Sequence, residues 1–220
     1  MAVLQHYYTS SPRNIDGTSG WGVKAESPGI APDDSEKLSK LTWYEIPINQ
    51  GSSPIETHPI SLRYLPWDAI RCSLACCQSS EDSYNRPIYF GHSLLLSQDD
   101  FQYFPPIQFW RHSFWKTVDP SSAVEIPPLP YFDLQPSFEL ELLWPFLEAD
   151  GDRRRHMILG LLDCFLQEKG RRILILDDID NVALWIMALS FSLPAEFRKS
   201  LSFATYHPDP RQTPFRVTGV

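Results

Sequence analysis

Arg86, Tyr89 and His92 follow one another at intervals of three residues, just ahead of an apolar run. A guanidinium group forms paired hydrogen bonds to carboxylate or phosphate groups, and a nearby histidine can add a further donor. One hypothesis is therefore an anion-binding or partner-binding corner, with Arg86 as its main donor and His92 as its auxiliary donor. The alternative is that His92 is a core histidine hydrogen-bonded to a tyrosine or the backbone, while Arg86 holds a loop carboxylate such as Asp82 or Glu81.

A second candidate is the run from Ile173 to Asp178, in which four apolar residues precede two aspartates. A strand that ends in this way places a carboxylate near Mg²⁺ in many nucleotide-hydrolysing proteins, and Lys24 after a glycine-rich stretch superficially supplies the phosphate-binding part. However, the lysine follows Val23 rather than a glycine, and no strand, loop and helix surround it in that order. The favoured interpretation is that the aspartates form the polar end of a strand and the start of the next helix.

The third candidate involves thiols, since Cys72, Cys76 and Cys77 lie close together and His92 follows. In an extended strand Cys72 and Cys76 face one side and Cys77 the other, so the three do not converge on a metal. A nucleophile pair of Cys77 and His92 stays open as an alternative, but no sequence feature requires it. Buried structural thiols are the favoured interpretation, and no catalytic residue, metal site or cofactor is predicted.

Aromatic residues are concentrated between Phe101 and Trp115. Such a density is costly to expose, so we expect most of these rings to lie in the core and a remainder to form a contact surface. Trp and Arg are frequent at the energetic centres of protein interfaces. The predicted contact residues are therefore Trp110 with Arg111, or Trp115 with Lys116.

The residues before about Phe132 form short apolar or alternating runs separated by proline, glycine and serine, which is typical of strands. A polar stretch at 33–40 predicts one helix among them. The predicted strands are 4–10, 22–26, 60–65, 70–77, 88–97 and, as a further candidate, 107–115.

Prolines crowd the interval from Asp119 to Gln135, so neither a helix nor a central strand is expected there, and a linker is predicted. Longer segments follow it. The pattern predicts helices at 137–147, 153–167 and 180–193, and strands at 172–178 and 201–206. The predicted fold class is therefore α+β: a β-rich N-terminal domain at 1–132 followed by a partial, incomplete α/β domain at 133–220.

Composition restricts the class of partner. The chain has 220 residues, of which 43% are hydrophobic and 21% charged, so it has enough apolar residues for a folded core. A net charge of −8 disfavours direct binding to nucleic acid or to an anionic membrane. No apolar run approaches the roughly 18 to 20 residues that span a bilayer, and with four cysteines expected as free thiols the sequence predicts a cytoplasmic protein.

Several motifs together resemble one family. The element Arg86-Pro87-Ile88-Tyr89-Phe90-Gly91-His92-Ser93-Leu94 is similar to an "R-P-x-Y-F-x-H-x-L" element in the second type of N-terminal domain of bacterial GTPase-associated proteins. Tyr8-Thr9-Ser10 near the start and Ser27-Pro28-Gly29-Ile30 resemble the opening strands of the same domain. The segment 193–206, LPAEFRKSLSFATY, is similar to the signature of the family's middle domain.

The resemblance implies a function that the residue patterns alone do not. It implies a non-enzymatic adaptor or scaffold of a bacterial GTPase-centred conflict, or antiphage defence, system, with a small GTPase or an effector subunit as protein partner. Its binding residues would then come from Arg86, Tyr89, His92, Trp110, Arg111 and Trp115. Three alternatives stay open: a structural subunit of a larger assembly, a nucleotide-binding domain that uses the 173–178 strand, and a Cys/His hydrolase.

Overall fold

A computed structural model describes residues 2–46, 53–82, 84–101, 103–118, 123–130, 135–167 and 171–220. Within these ranges the chain forms one mixed sheet of nine strands with five α-helices, and this confirms the predicted α+β class with a β-rich N-terminal part. None of the described helices is both long and apolar enough to cross a membrane.

The antiparallel part of the sheet comes from the first half of the chain. Its strands are β1 (Ala2–Ser11), β2 (Gly20–Glu26), β3 (Ser61–Pro66), β4 (Arg71–Glu81) and β5 (Pro87–Ser97), with the short β6 (Leu129–Pro130) paired to the start of β1. The strands lie in the order β2-β1-β5-β4-β3. Five of the six predicted strands in this half are therefore confirmed.

The second half of the chain extends the same sheet. Its strands are β7 (Ile173–Ile175), β8 (Phe203–Ala204) and β9 (Val217–Gly219); β8 pairs antiparallel with β3, and β9 lies parallel between β8 and β7. The sheet thus runs without a break across the two predicted domains. The division into two domains stays a prediction. Much of the predicted linker, 119–122 and 131–134, lies outside the described residues.

Five helices accompany the sheet: α1 (Pro32–Leu41), α2 (Leu143–Glu148), α3 (Arg153–Gln167), α4 (Ile179–Ser192) and α5 (Ala195–Arg198). Helix α4 is apolar and is buried along most of its length, because it packs directly on one face of the sheet. Pro194 follows its end, since proline cannot continue a helix.

One predicted element is wrong, and another is shorter than predicted. The candidate strand at 107–115 is a 3₁₀ helix, Pro106–Phe109, followed by turns. Two adjacent prolines, Pro105 and Pro106, lack the backbone N–H that a strand ladder needs. The helix predicted at 137–147 is shorter: a 3₁₀ turn at Leu140–Leu142 leads into α2, which begins only at Leu143.

The sheet separates two layers of side chains. The face that carries Leu62, Cys76 and Leu94 packs on α4 and on the aromatic segment after β5. The opposite face carries a smaller cluster that includes Cys77 and Tyr44, and α1 lies over this side. Gly91 on β5 allows this close cover, because a Cβ built there would come 2.5 Å from the Cβ of Thr42.

Candidate functional site

Arg86 closes the hairpin between β4 and β5. Its Nη2 lies 2.6 Å from Asp82 Oδ2, and its backbone N–H donates to Asp82 Oδ1 at 2.9 Å. These hydrogen bonds, the backbone one first, hold the pKa of Asp82 below its ordinary value. Arg86 therefore does what the structural alternative predicted: it holds a carboxylate of the preceding loop. Its side chain is nevertheless 70% exposed and lies over the ring of Tyr84.

His92 is a fully buried core histidine. Its Nε2 lies 3.0 Å from Gln5 Oε1, and its Nδ1 accepts a hydrogen bond from the backbone N–H of Lys116 at 3.1 Å. Because Nδ1 accepts, Nε2 carries the proton and donates to Gln5, whose own Nε2 donates to the carbonyl of Pro127. His92 thereby ties the segments at 116 and 127 to the sheet. Burial lowers its pKa to about 3, so it is neutral at physiological pH.

Tyr89 lies on the opposite face of the sheet from His92. Its ring stacks on Trp21 with centroids 4.4 Å apart, and its neighbours include Tyr8 and Tyr44. Arg86 immediately precedes β5 and His92 lies six residues later, within β5, which corresponds to roughly 20 Å of extended chain. The structure therefore does not bring the predicted trio together, and no corner formed jointly by Arg86 and His92 exists in this fold.

Cys77 and His92 do not form a pair either. Cys77 and Cys76 point to opposite faces, as the strand pattern predicted, and Cys77 lies in the cluster away from His92. Cys77 is fully buried, and burial raises the pKa of its thiol above the ordinary value. All four cysteines are free thiols. The geometry thus offers no activated nucleophile at Cys77.

The carboxylate of Asp177 is occupied by structural hydrogen bonds. Its Oδ1 accepts from the Asp178 N–H and from Asn181 Nδ2, and its Oδ2 accepts from Trp185 Nε1 at 2.9 Å. Lys24 lies on β2, at the other end of the sheet order from β7, which corresponds to roughly 30 Å at ordinary strand spacing. These two groups cannot bind one nucleotide together. Asp178 is the N-cap of α4, but its side chain makes no capping hydrogen bond.

Two of the predicted contact residues are not at the surface. Trp110 is 2% exposed and Trp115 is 7% exposed, so the prediction that their rings form an exposed contact surface is wrong. The rings stay inside because each indole N–H has an internal acceptor: Asp180 Oδ1 for Trp110 and the carbonyl of Phe109 for Trp115.

Arg111 is exposed and joins the two predicted domains. Its Nε lies 3.0 Å from Asp180 Oδ1 and its Nη2 lies 3.1 Å from Asp180 Oδ2, in a paired arrangement. Asp180 stands in the first turn of α4, where the helix dipole favours a negative charge. The Trp110-Arg111 pair thus contacts α4 within the same chain. Arg111 has φ +55°, a left-handed conformation that is uncommon for a residue other than glycine.

A cleft of about 610 Å³ opens beside this contact, between α2, α4 and the turn at 110–111. Its lining is mainly apolar and aromatic. The residues that line it include Trp110, Arg111, Phe138, Leu142, Pro145, Phe146, Arg154, Asp180, Asn181 and Leu184. Of the six residues predicted from the sequence, this cleft brings together Trp110 and Arg111 only. Arg86 lines a separate cleft of about 710 Å³ at the other end of β5.

Arg154 is the residue at this cleft that the sequence analysis missed. It belongs to the run Arg153-Arg154-Arg155 at the start of α3. Three cations in the first turn of a helix oppose the helix dipole, and that conflict is a signal that the sequence already contained. No group of three or more His, Cys, Asp or Glu side chains suited to a metal ion occurs among the described residues.

Comparisons with known families cover most of the chain. Residues 2–131 match the N-terminal domain, type 2, of GTPase-associated protein 1, and residues 145–220 match the middle domain of the same protein family. The chain matches no curated protein and no solved structure significantly. The two matched regions correspond to the antiparallel part of the sheet and to its extension through β7, β8 and β9. This chain belongs to the GTPase-associated protein 1 family.

Proposed function

We propose that this chain is a non-enzymatic adaptor of a bacterial, cytoplasmic GTPase-centred conflict system. It docks a protein partner, a small GTPase or an effector subunit, and joins it to the other components of the system. Membership of a family named for its association with GTPases supports the choice of partner.

One observation carries the binding role: the cleft beside the Arg111–Asp180 contact combines an aromatic lining with arginine side chains. Aromatic and arginine side chains in a concave, partly desolvated setting are the usual energetic centres of protein interfaces. By contrast, the candidate nucleophile Cys77 is buried and the carboxylate of Asp177 is already hydrogen-bonded. The accessible chemistry is that of recognition.

The position of the cleft also suits an adaptor. Trp110 and Arg111 come from the predicted N-terminal domain, whereas α2, α3 and α4 come from the predicted second domain. A partner bound there contacts both regions and can therefore alter the contact between them.

The test is capture of the GTPase encoded beside this chain, using the purified chain as bait with GTP, with GDP and without nucleotide. We expect retention that differs at least tenfold between the GTP and GDP states. Retention of labelled GTP by the chain itself, with no GTPase bound, would instead support the nucleotide-binding alternative and refute the adaptor role.

A structural subunit is the second candidate, because large apolar side chains remain exposed on the second half of the chain. They are Trp144 (62%), Leu159 (63%), Leu174 (47%) and Leu176 (79%). Stable assemblies bury such surface on a neighbouring subunit. Light scattering after size exclusion distinguishes the two roles: a stable oligomer of this chain favours the structural role, and a monomer that binds the GTPase reversibly favours the adaptor.

A further inference from the structure

Arg154 differs from the arginines on either side of it. Arg153 and Arg155 are each within 3.5 Å of carboxylate oxygens in the turn before α3 or at the end of α2. Arg154 instead folds over the ring of Phe146, with its guanidinium carbon 4.2 Å from the centroid, and Nη1 donates to the Phe146 carbonyl at 2.8 Å. Among the described residues no carboxylate lies within ion-pair distance of Arg154.

No other charged side chain described at the cleft forms an ion pair with Arg154. Both carboxylate oxygens of Asp180 already contact nitrogens of the Arg111 guanidinium group. The pKa of Asp177 is lowered, against the raising effect of burial, by hydrogen bonds from Asn181 and Trp185 and, least of all, by Arg154, which forms no ion pair with it. The Arg154 guanidinium therefore contributes a half-buried positive charge to a mainly apolar cleft.

This arrangement selects for one kind of ligand group. A carboxylate placed against Arg154 would form a charge-assisted hydrogen bond in a setting with less solvent screening than the surface. It would also relieve the unfavourable interaction between the cation and the N-terminal end of α3. Around it, Phe138, Leu142 and Leu184 offer apolar contacts. The net charge of −8 repels a strongly acidic ligand, so a single carboxylate among apolar groups fits best.

We propose that this cleft binds a segment of a protein partner in which one Asp or Glu side chain lies between apolar residues. The inference rests on the proposed function in that the ligand is a polypeptide. The carboxylate contacts Arg154, and the flanking apolar side chains fill the space between Phe138 and Leu184.

The probe is a library of random 16-residue peptides displayed on phage and selected on the complete chain. Enriched peptides are then synthesised and titrated by fluorescence anisotropy. We expect them to contain an acidic residue next to apolar ones, and to lose binding by about 10- to 100-fold when that residue becomes Gln. The same loss is expected for the chain variant Arg154→Gln, whereas the matched control Arg153→Gln changes affinity less than threefold.

Exchanging the two charges distinguishes loss of the contact with Arg154 from unfolding of the variant. Arg154→Glu should reject the acidic peptide and bind the version with Lys at the same position, while circular dichroism and the melting temperature show that the variant is folded. Peptides that are insensitive to Arg154→Gln, failure of the exchanged pair to bind, or no enriched peptide at all would each overturn the inference.

Failure of this inference and failure of the proposed function are distinguishable. If the neighbouring GTPase is captured equally well by the wild-type chain and by Arg154→Gln, the adaptor role stands and the cleft is not its docking site. If acidic-apolar peptides bind at Arg154 but no GTPase is captured in any nucleotide state, the cleft assignment stands and the GTPase partner is wrong.

Discussion

Mild acid should destabilise this chain, because His6 and His92 are buried in neutral form. Burial lowers the pKa of His6 and of His92 from 6.5 to about 3. Below pH 6.5 the unfolded chain binds protons at these positions and the folded chain does not. Their contribution to stability is therefore complete above pH 6.5 and is lost progressively as the pH falls toward 3.

The expected magnitude follows from the shift. A solution at pH 5 is about 1.5 pH units below the pKa of each histidine in the unfolded chain. This difference corresponds to a loss of about 2 kcal/mol of unfolding free energy per histidine. His6 and His92 together should remove about 4 kcal/mol of unfolding free energy between pH 7.5 and pH 5. A typical domain has about 5–15 kcal/mol in total, so the loss is substantial. His207, whose pKa is lowered to about 4 mainly by burial, adds in the same direction.

Most of the carboxylates with a shifted pKa should not obscure this effect, because their pKa is lowered; the exception is Asp100, whose pKa burial raises. The pKa of Asp68, for example, is lowered to about 2 by hydrogen bonds from the Arg71 and Ile70 backbone and from the Arg71 side chain. Its contribution is lost only as the pH falls below the ordinary carboxylate range, near 4. The interval from pH 7.5 to pH 5 therefore reports mainly on histidine.

The assay is urea unfolding followed by tryptophan fluorescence at half-unit pH steps through that interval. The variants are His6→Gln, His92→Gln and the double variant, with His156→Gln on the exposed side of α3 as control. We expect each single variant to flatten the pH dependence by about 2 kcal/mol, whatever its stability at pH 7.5. A wild-type stability that is constant down to pH 5, or a double variant with the wild-type slope, would refute the argument.

Three further outcomes test the packing. Arg63 is 1% exposed and donates hydrogen bonds to two backbone carbonyls at or just after the end of α1. The variant Arg63→Met should therefore lose about 2–4 kcal/mol of unfolding free energy in urea. A loss under about 1 kcal/mol would show that removing a buried charge offsets the lost hydrogen bonds. Gly91→Ala should cost about 1–3 kcal/mol, because the added methyl group meets the Cβ and Cγ2 of Thr42, and combining it with Thr42→Gly, which removes both atoms, should recover part of the loss. An aromatic disulfide reagent should modify Cys164 in the native chain but reach Cys77 only on unfolding; fast native modification of Cys77 would contradict its burial.

Local sequence patterns were sufficient to predict most strands and the face of the sheet on which their side chains lie. Alternation along β4 and β5 placed Cys76 and Cys77 on opposite faces and put His92 with the apolar residues. Those assignments depend only on the two-residue period of an extended chain. The prediction of a strand at 107–115 is wrong because it gave more weight to the aromatic residues than to the adjacent prolines. Prolines interrupt the hydrogen bonds between neighbouring strands.

The site could not be found in the same way, because it depends on contacts between distant parts of the chain. Nothing local shows that Trp110 will donate to Asp180, or that no carboxylate in the described part of the chain will form an ion pair with Arg154. Arg86, which looked like a ligand-binding residue, instead bonds to a carboxylate four positions away. The β9 strand, three residues long, was missed since it is recognisable only beside β7 and β8.

The pairing of β3 with β8 has a consequence for how the chain folds. Ser61 Oγ donates to the carbonyl of Tyr206, 145 residues further along the chain. Until the later segment arrives, the outer edge of β3 presents unpaired N–H and C=O groups, which is the usual starting point for aggregation. Contacts this distant in sequence also form slowly. During synthesis, the newly made first half should therefore need protection, by a chaperone or by rapid translation, until β8 closes that edge.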